Sequence, residues 1–420
     1  MVVRVEILPL DQKPCVVHYL SEVDRFLVGT YELFTSIDEA KSKCYPYLND
    51  CQVRKRLEDV NNRAGKFILI RENGAYGPII EYGFDCHQGG GVFDANCTFV
   101  QREMSYLIYT AHSNGKLGVY KLSIDSAIEI RLQHLVNIEG SSMLTCVDFI
   151  HKSSDQVRLF EGSIADTSDL SDPKSTQPPV VPCPYRPLSK ILVGDAEGFV
   201  SIINDGKVSR ETVTRGDSIW QLRSLILTSG REIIMVAAED SSWSIYELKN
   251  DDSLALLYSN LRRDFHAGVT CISTVGIKRF GDQDLVEVLV GSYDETIKIY
   301  HIELGQDLGS KPEVCHRSTI AVKGGGIWRV KICAIPNSSM QVYLAAMYAG
   351  SFSFSMDDFR SQSEKHSQAP SKYSLDELVD IGSLKMDQTP LHYDIDFSPT
   401  SKTCCIADFN NRACLLIPSK

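Results

Sequence analysis

Apolar and polar positions alternate through Val288–Ile302, VLVGSYDETIKIYHI, in two short runs joined by a polar turn. Val288 to Val290 form the first run. In the second, Thr296 to Ile302, the apolar Ile297 and Ile299, with Ile302 beyond them, are set against Lys298 and His301. This period of two is that of a half-buried strand. Gly291, Ser292, Asp294 and Glu295 supply the turn chemistry between the runs. Degenerate copies of the hairpin recur at Leu27 to Leu33, Tyr106 to Leu122, Lys190 to Asn204, Ile233 to Leu248, Tyr343 to Met356 and Thr403 to Ile417. Each follows another apolar run that predicts an inner strand: Val16–Leu20, Ala95–Val100, Leu144–Ile150, Ile219–Leu225, Val269–Val275, Ile327–Ile332 and Tyr393–Phe397. One such sheet cannot bury both of its faces, so copies stacked around an axis are the physical solution. A generic antiparallel sandwich is the alternative, and copies spread over the whole chain weigh against it.

Seven copies predict an all-β, seven-bladed β-propeller of the WD40 type, in which Tyr300-His301 stands where the closing Trp-Asp is usual. The ring is expected to use residues 1–420 as one domain, opened by a strand over Val2–Leu8. Polar insertions at about 36–65, 153–187 and 357–388 stretch the repeat beyond its usual ~40–45 residues. In the first, Arg54–Val60 is expected to make a turn or two of helix at best. The second is Pro-rich and reads as a loop between blades. In the third, Ser374–Val379 is expected to make one helical turn. Gly89-Gly90-Gly91 lies too far from any helix to be a phosphate loop.

Composition narrows the classes. Hydrophobic residues make up 43% of the chain, enough for a large core, yet no run approaches the ~20 apolar residues of a membrane span. The net charge of −11 argues against a general nucleic-acid binder and suits a basic protein or a cationic substrate. Thirteen cysteines show no regular spacing, no C-x-x-C and no Cys/His cluster at zinc spacing. Cys146, Cys271, Cys333, Cys404, Cys405 and Cys414 fall in apolar strands and read as reduced, buried thiols of a cytoplasmic protein.

Gly29-Thr30-Tyr31-Glu32-Leu33, Gly291-Ser292-Tyr293-Asp294-Glu295, Gly325-Gly326-Ile327-Trp328-Arg329-Val330-Lys331 and Tyr393-Asp394-Ile395-Asp396-Phe397 together resemble the diphthine methyl ester hydrolase family, WD-repeat proteins of diphthamide biosynthesis. The resemblance implies a cytoplasmic hydrolase without a cofactor or metal. Its substrate would be the methyl ester of diphthine on a modified histidine of translation elongation factor 2, and its products diphthine and methanol. A monomer is expected. The chain departs from the family pattern at Arg215-Gly216-Asp217-Ser218-Ile219-Trp220, where a His ahead of the Trp is missing. The competing class is a non-catalytic scaffold, the commonest use of such propellers.

Ester hydrolysis needs a nucleophile or an activated water, and donors for the developing oxyanion. The chain has no G-x-S-x-G elbow and no H-E-x-x-H. Gly216-Asp217-Ser218 precedes a strand with no helix after it and reads as coincidence. His266 and Asp294 have two readings. One is a hydrogen-bond network that braces the fifth blade with Ser292 and Tyr300. The other is a catalytic pair in which Asp294 orients His266 as general base. His112 and His392 are lesser candidates for the base. Diphthine carries a trimethylammonium group that cannot donate a hydrogen bond, so aromatic faces and nearby carboxylates suit it. Aligned inner strands set Trp220, Trp328 and Tyr393 at equivalent places near one mouth of the channel, with Thr145 and Thr270 in blades three and five. These rings are expected to line a cage, with Asp394, Glu239 or Asp240 adding negative charge. The alternative is packing between blades. Arg329 is expected to hold the carboxylate or oxyanion, or else to make an ordinary surface salt bridge.

Overall fold

The alternation is realised as strands at every copy in the computed structural model. It describes residues 6–43, 49–59, 62–72, 77–86, 89–124, 128–150, 190–260, 264–334, 340–361, 367–368 and 388–418. Seven antiparallel sheets follow one another around an axis. Their inner strands are Lys13–Leu20, Val92–Val100, Leu144–Ile150, Ile219–Ile226, Val269–Phe280, Arg329–Cys333 and His392–Ser398. Each touches its neighbours on both sides, and the seventh returns to the first.

The ring has no central core. Each of its seven seams has a separate apolar cluster, because each strand's inward face belongs to one neighbour and its outward face to the other. Leu225, Ile233, Trp243 and Ile245 of blade four pack on Ile272, Val288 and Tyr300 of blade five. Leu27, Phe67 and Leu69 of blade one pack on Ile108, Tyr120 and Leu122 of blade two. Val17, Phe26 and Val28 pack on Cys405, Cys414 and Leu416 across the seam that closes the ring. There the opening strand, Glu6–Pro9, completes the seventh sheet by pairing antiparallel with Ala413–Pro418, Glu6 opposite Leu416 and Pro9 opposite Ala413.

Polar side chains on the inner strands staple blade to blade. Asp94 accepts the Val147 N–H at 3.1 Å, Asp148 that of Ser224 at 2.6 Å, and Gln221 that of Ile272 at 2.6 Å. Asp394 accepts the Val17 N–H and Asp396 the Tyr19 N–H, both at 2.9 Å. Each bond satisfies a buried amide that has no ladder partner on that side.

The first insertion is more helical than expected. It forms helices over Ile37–Lys43 and Asp50–Asp59, with Ala40, Val53 and Leu57 packed against Phe34 and Ala64. Asn49 caps the second helix by accepting the Gln52 N–H at 2.9 Å, while Gln52 accepts the Asn49 N–H at 3.1 Å. This reciprocal cap starts the helix at Asp50, ahead of the expected Arg54. Residues 151–189, which cover the Pro-rich insertion, and Ser374–Val379 lie outside the described residues. From the third insertion, Ser367–Gln368 pairs in parallel with the outer strand of blade five, Glu313–Ala321. Among the singled-out cysteines, Cys333 is only half-buried, whereas Cys146, Cys271, Cys404, Cys405 and Cys414 are buried.

Candidate functional site

A β-bulge near the start of six of the seven inner strands builds the site. The ladder skips one residue between Pro14 and Val16, Val92 and Asp94, Leu144 and Cys146, Ile219 and Gln221, Val269 and Cys271, and His392 and Asp394. The skipped residues are Cys15, Phe93, Thr145, Trp220, Thr270 and Tyr393. Trp328 holds the equivalent place in blade six, just ahead of Arg329, with its N–H on the Ala345 carbonyl at 2.8 Å. A bulge re-aims the side chain it frees, and here the freed residues form a ring at the channel mouth. The expected equivalence of Trp220, Trp328, Tyr393, Thr145 and Thr270 is that ring.

The rings meet over the axis. Trp220 lies 5.4 Å from Trp328, and Trp328 lies 4.9 Å from Tyr393, centroid to centroid. Sequence reasoning missed four further rings. Phe93 stacks on Trp220 at 6.3 Å and 21°. Tyr293 stands 5.7 Å from Trp328 and 6.5 Å from Trp220. Phe409 stacks on Tyr393 at 4.6 Å and 17°, and Tyr31 meets the Phe93 edge at 6.4 Å. Contacts between blades two and four, and between four and six, are possible only across the channel. Phe93 was hidden because the inner strand of blade two starts at Val92, ahead of the apolar run at Ala95. Tyr31, Tyr293 and Phe409 come from the ends of second strands and the turns that follow. Comparing those hairpin ends across the copies would have found them. Gly91 permits this packing, because a Cβ there would strike the Tyr31 ring and the Ser113 hydroxyl.

Charge is unevenly placed around the rings. Glu239, exposed, accepts the Trp220 indole N–H at 2.5 Å. Burial pushes the Tyr293 phenol well above its usual range, with the charges of Tyr393 and Glu239 adding to the rise. Asp394 and Asp240 do not join the rings. Asp394 is 1% exposed and is spent on the Val17 and Ile395 amides. Asp240 accepts the Ser242 N–H at 3.0 Å, and the Ser242 hydroxyl too, inside its own turn.

Arg329 is not a surface residue; it is 3% exposed, within the channel. Its guanidinium carbon lies 5.4 Å from the centre of the Trp328 ring, and Nη2 stands 3.6 Å from Asp94. Burial alone disfavours its charge, but the fields of Asp94 and Asp394 more than restore it, so the group stays cationic.

Of the three candidate histidines, His112 and His392 serve structure through their rings and His266 only through its backbone. Asp294 accepts the backbone N–H of His266 at 3.0 Å, not its ring, and its other oxygen takes the Thr296 N–H at 3.1 Å. The His266 side chain is exposed. Ser292 bonds the Ala267 carbonyl, and Tyr300 donates to Asp264 at 2.9 Å. The bracing network is therefore present, built on main chain, and the Asp-oriented general base is not. His112, fully buried, bonds the Tyr120 hydroxyl at 2.8 Å, and burial lowers its pKa to about 4. His392 is buried against the Ser351 hydroxyl at 2.8 Å. Among the described residues no group of His, Cys, Asp and Glu is placed to hold a metal ion. No described helix is long and apolar enough to cross a membrane.

No protein-family model and no curated protein matches the chain. Solved structures do. The WD40 β-propeller domain of Doa1 aligns at TM-score 0.53 and 8% identity over 99% of this chain and 96% of that one. Sqt1 from Chaetomium thermophilum aligns at TM-score 0.55 and 10% identity over 99% of this chain and 100% of that one. A chain of an inhibitor-bound, humanized mutant of the Chaetomium thermophilum Polycomb Repressive Complex 2 aligns at TM-score 0.51 and 10% identity, covering 84% and 89%. At such identities the likeness speaks for the fold alone, and with the seven sheets it makes this chain a seven-bladed WD40-type β-propeller.

Proposed function

We propose that the protein hydrolyses the methyl ester of methylated diphthine on translation elongation factor 2. The supporting observation is the aromatic cluster on the channel axis, with Glu239 at its edge and Arg329 beneath it. A trimethylammonium group gains ~0.5–2 kcal/mol from an aromatic face, and more beside a carboxylate in a partly dry site. Trp220, Trp328, Tyr393, Phe93 and Tyr293 offer the faces and Glu239 the charge. The rings rest on one another, so the ligand enters by turning a half-buried ring aside. Trp220, Phe93, Tyr293 and Tyr393 are the half-buried rings, and Trp220 is held at its edge by Glu239.

In diphthine the ester carbon is attached to the carbon that bears the ammonium group. Holding the cation therefore holds the acyl carbon within a few bonds of it. Water adds to that carbon, the acyl–oxygen bond breaks, methanol leaves with one of the water protons, the other proton passes to solvent, and a carboxylate remains. The developing oxyanion feels the Arg329 charge, which is little screened because that side chain is 3% exposed. Purified protein incubated with methyl-diphthine elongation factor 2 is expected to release methanol and lower the intact mass of the factor by one methylene. No change beyond the enzyme-free control rejects the reading.

The second reading is a propeller that binds a protein and leaves it unaltered. The exposed His266 ring, unoriented by Asp294, favours it, since the expected Asp–His pair is not formed. Binding of the methylated factor with no methanol released selects this reading.

A further inference from the structure

A cavity of about 260 Å³ opens at the seam of blades seven and one and is lined by Lys13, Gln388, Asn410, Asn411 and Arg412. No acid lines it, and two of its five lining residues are cationic. It borders the aromatic mouth. Phe409 opens the turn that supplies Asn410, Asn411 and Arg412, and its ring carries the Lys13 ammonium 4.7 Å from the centroid. Among the described residues no carboxylate pairs with that ammonium.

Arg412 sits where the backbone favours glycine. The residue just before the third strand of a blade takes a positive φ in blade after blade. It is Gly115 at +76°, Gly198 at +87° and Gly350 at +93° in blades two, three and six, and Glu295 at +66° in blade five. Blade seven places Arg412 there at +49°, a conformation glycine adopts without the steric penalty of a side chain. Strained positions of this kind gather where a side chain is needed. One need is internal, since Nη2 of Arg412 meets Glu32 at 2.7 Å. That contact leaves the rest of the guanidinium fork to the cavity. Asn410 and Asn411 are fixed by donating to the Thr389 and Gln388 carbonyls at 2.9 and 3.1 Å, which stiffens the wall.

We propose that this cavity is an anion subsite, taking a carboxylate or a phosphate monoester of a protein docked on the mouth face, with Lys13 and Arg412 as its charged contacts. The proposal goes beyond the hydrolase reading and stands whether or not the ester is cleaved.

Three capped peptides titrated calorimetrically into the intact chain test it: Gly-Gly-Asp-Gly-Gly, the same peptide with phosphoserine in place of Asp, and the same with Asn. At least one acidic peptide is expected to bind roughly tenfold or more tightly than the Asn peptide, and to weaken as salt is added. The tighter of the two identifies the source of the anion. Lys13→Met and Arg412→Gly are each expected to remove most of that preference. Arg412→Gly relieves the positive φ but leaves buried Glu32 without this partner, so Lys13→Met, which breaks no ion pair among the described residues, is the variant in which lost preference with an undiminished thermal midpoint separates recognition from folding. Equal binding of all three peptides, or unaltered preference in both variants, overturns the proposal. Methanol release from the elongation factor is scored separately, so failure of the subsite and failure of the hydrolase reading are distinct results.

Discussion

Trp220 and Trp328 share a ring of equivalent positions but not the same surroundings. Trp328 is 2% exposed, whereas Trp220 is half-buried. Trp220→Ala is therefore expected to raise KM for the methylated factor at least about tenfold with little change in thermal midpoint. Trp328→Ala is expected to do the same and also to cost about 3–5 kcal/mol of stability, measured by denaturant unfolding. Glu239→Gln keeps an oxygen for the Trp220 indole and deletes only charge. It is expected to weaken a trimethylammonium ligand several-fold while leaving its neutral tert-butyl counterpart unaffected; equal effects on both would exclude a cation site. His266→Gln is expected to turn over like the parent protein in a methanol-release assay, because nothing holds that ring in place. Asp394 carries a lesson about reading residues singly. It is next to Tyr393 in sequence, and its carboxylate was expected beside that ring. The bulge between His392 and Asp394 frees Tyr393 towards the mouth, whereas the Asp returns to the ladder and staples blade seven to Val17.

At the scale of the element, the inner-strand bulge decides what reaches the mouth, and the closing strand decides whether the ring holds. Removing residues 1–9 deletes Glu6–Pro9 and uncovers the edge of Ala413–Pro418. An uncovered apolar edge invites pairing with another chain. The truncated protein is expected to show a lower thermal midpoint in calorimetry and concentration-dependent association by light scattering. Six of the seven hairpins were legible in the sequence because alternation and turn residues are local signals, strong where one face is buried; in blade one the expected hairpin over Leu27–Leu33 is a single strand, Arg25–Leu33, whose partner Lys66–Arg71 lies beyond the insertion. The inner strands were legible for the same reason in six copies. Blade two was weak, since Val92-Phe93-Asp94-Ala95 breaks the alternation at its bulge, and that break concealed Phe93. The helices Ile37–Lys43 and Asp50–Asp59 were under-read because the apolar anchors of the second are few, Val53 and Leu57 among mostly charged residues. The staples between blades were not legible at all, because each joins residues far apart in the chain, as Asp394 and Val17 are.

Over the whole molecule, stability is divided among seven seams, and buried titratable groups on the inner and second strands tie it to pH. Burial lowers the His112 pKa from 6.5 to about 4, and lowers that of His18 as well. The folded state therefore binds fewer protons than the unfolded state between those values, and stability contributed by neutral His112 is lost as pH falls from 6.5 towards 4. The buried carboxylates act with the opposite sign, since burial raises Asp94, Asp148 and Asp396. The informative quantity is thus a difference. Relative to His112→Asn, the parent protein is expected to lose stability on acidification by up to about 1.4 kcal/mol per pH unit, read from urea unfolding at stepped pH. A constant gap between the two would show that His112 does not titrate on unfolding. The pairing of Glu6 with Leu416 has a further consequence, for biosynthesis. The strand that closes the circle leaves the ribosome ahead of every blade, and its partner emerges after all of them. The nascent chain must therefore keep that short segment unengaged while every blade is made, and the circle closes only after the seventh has emerged.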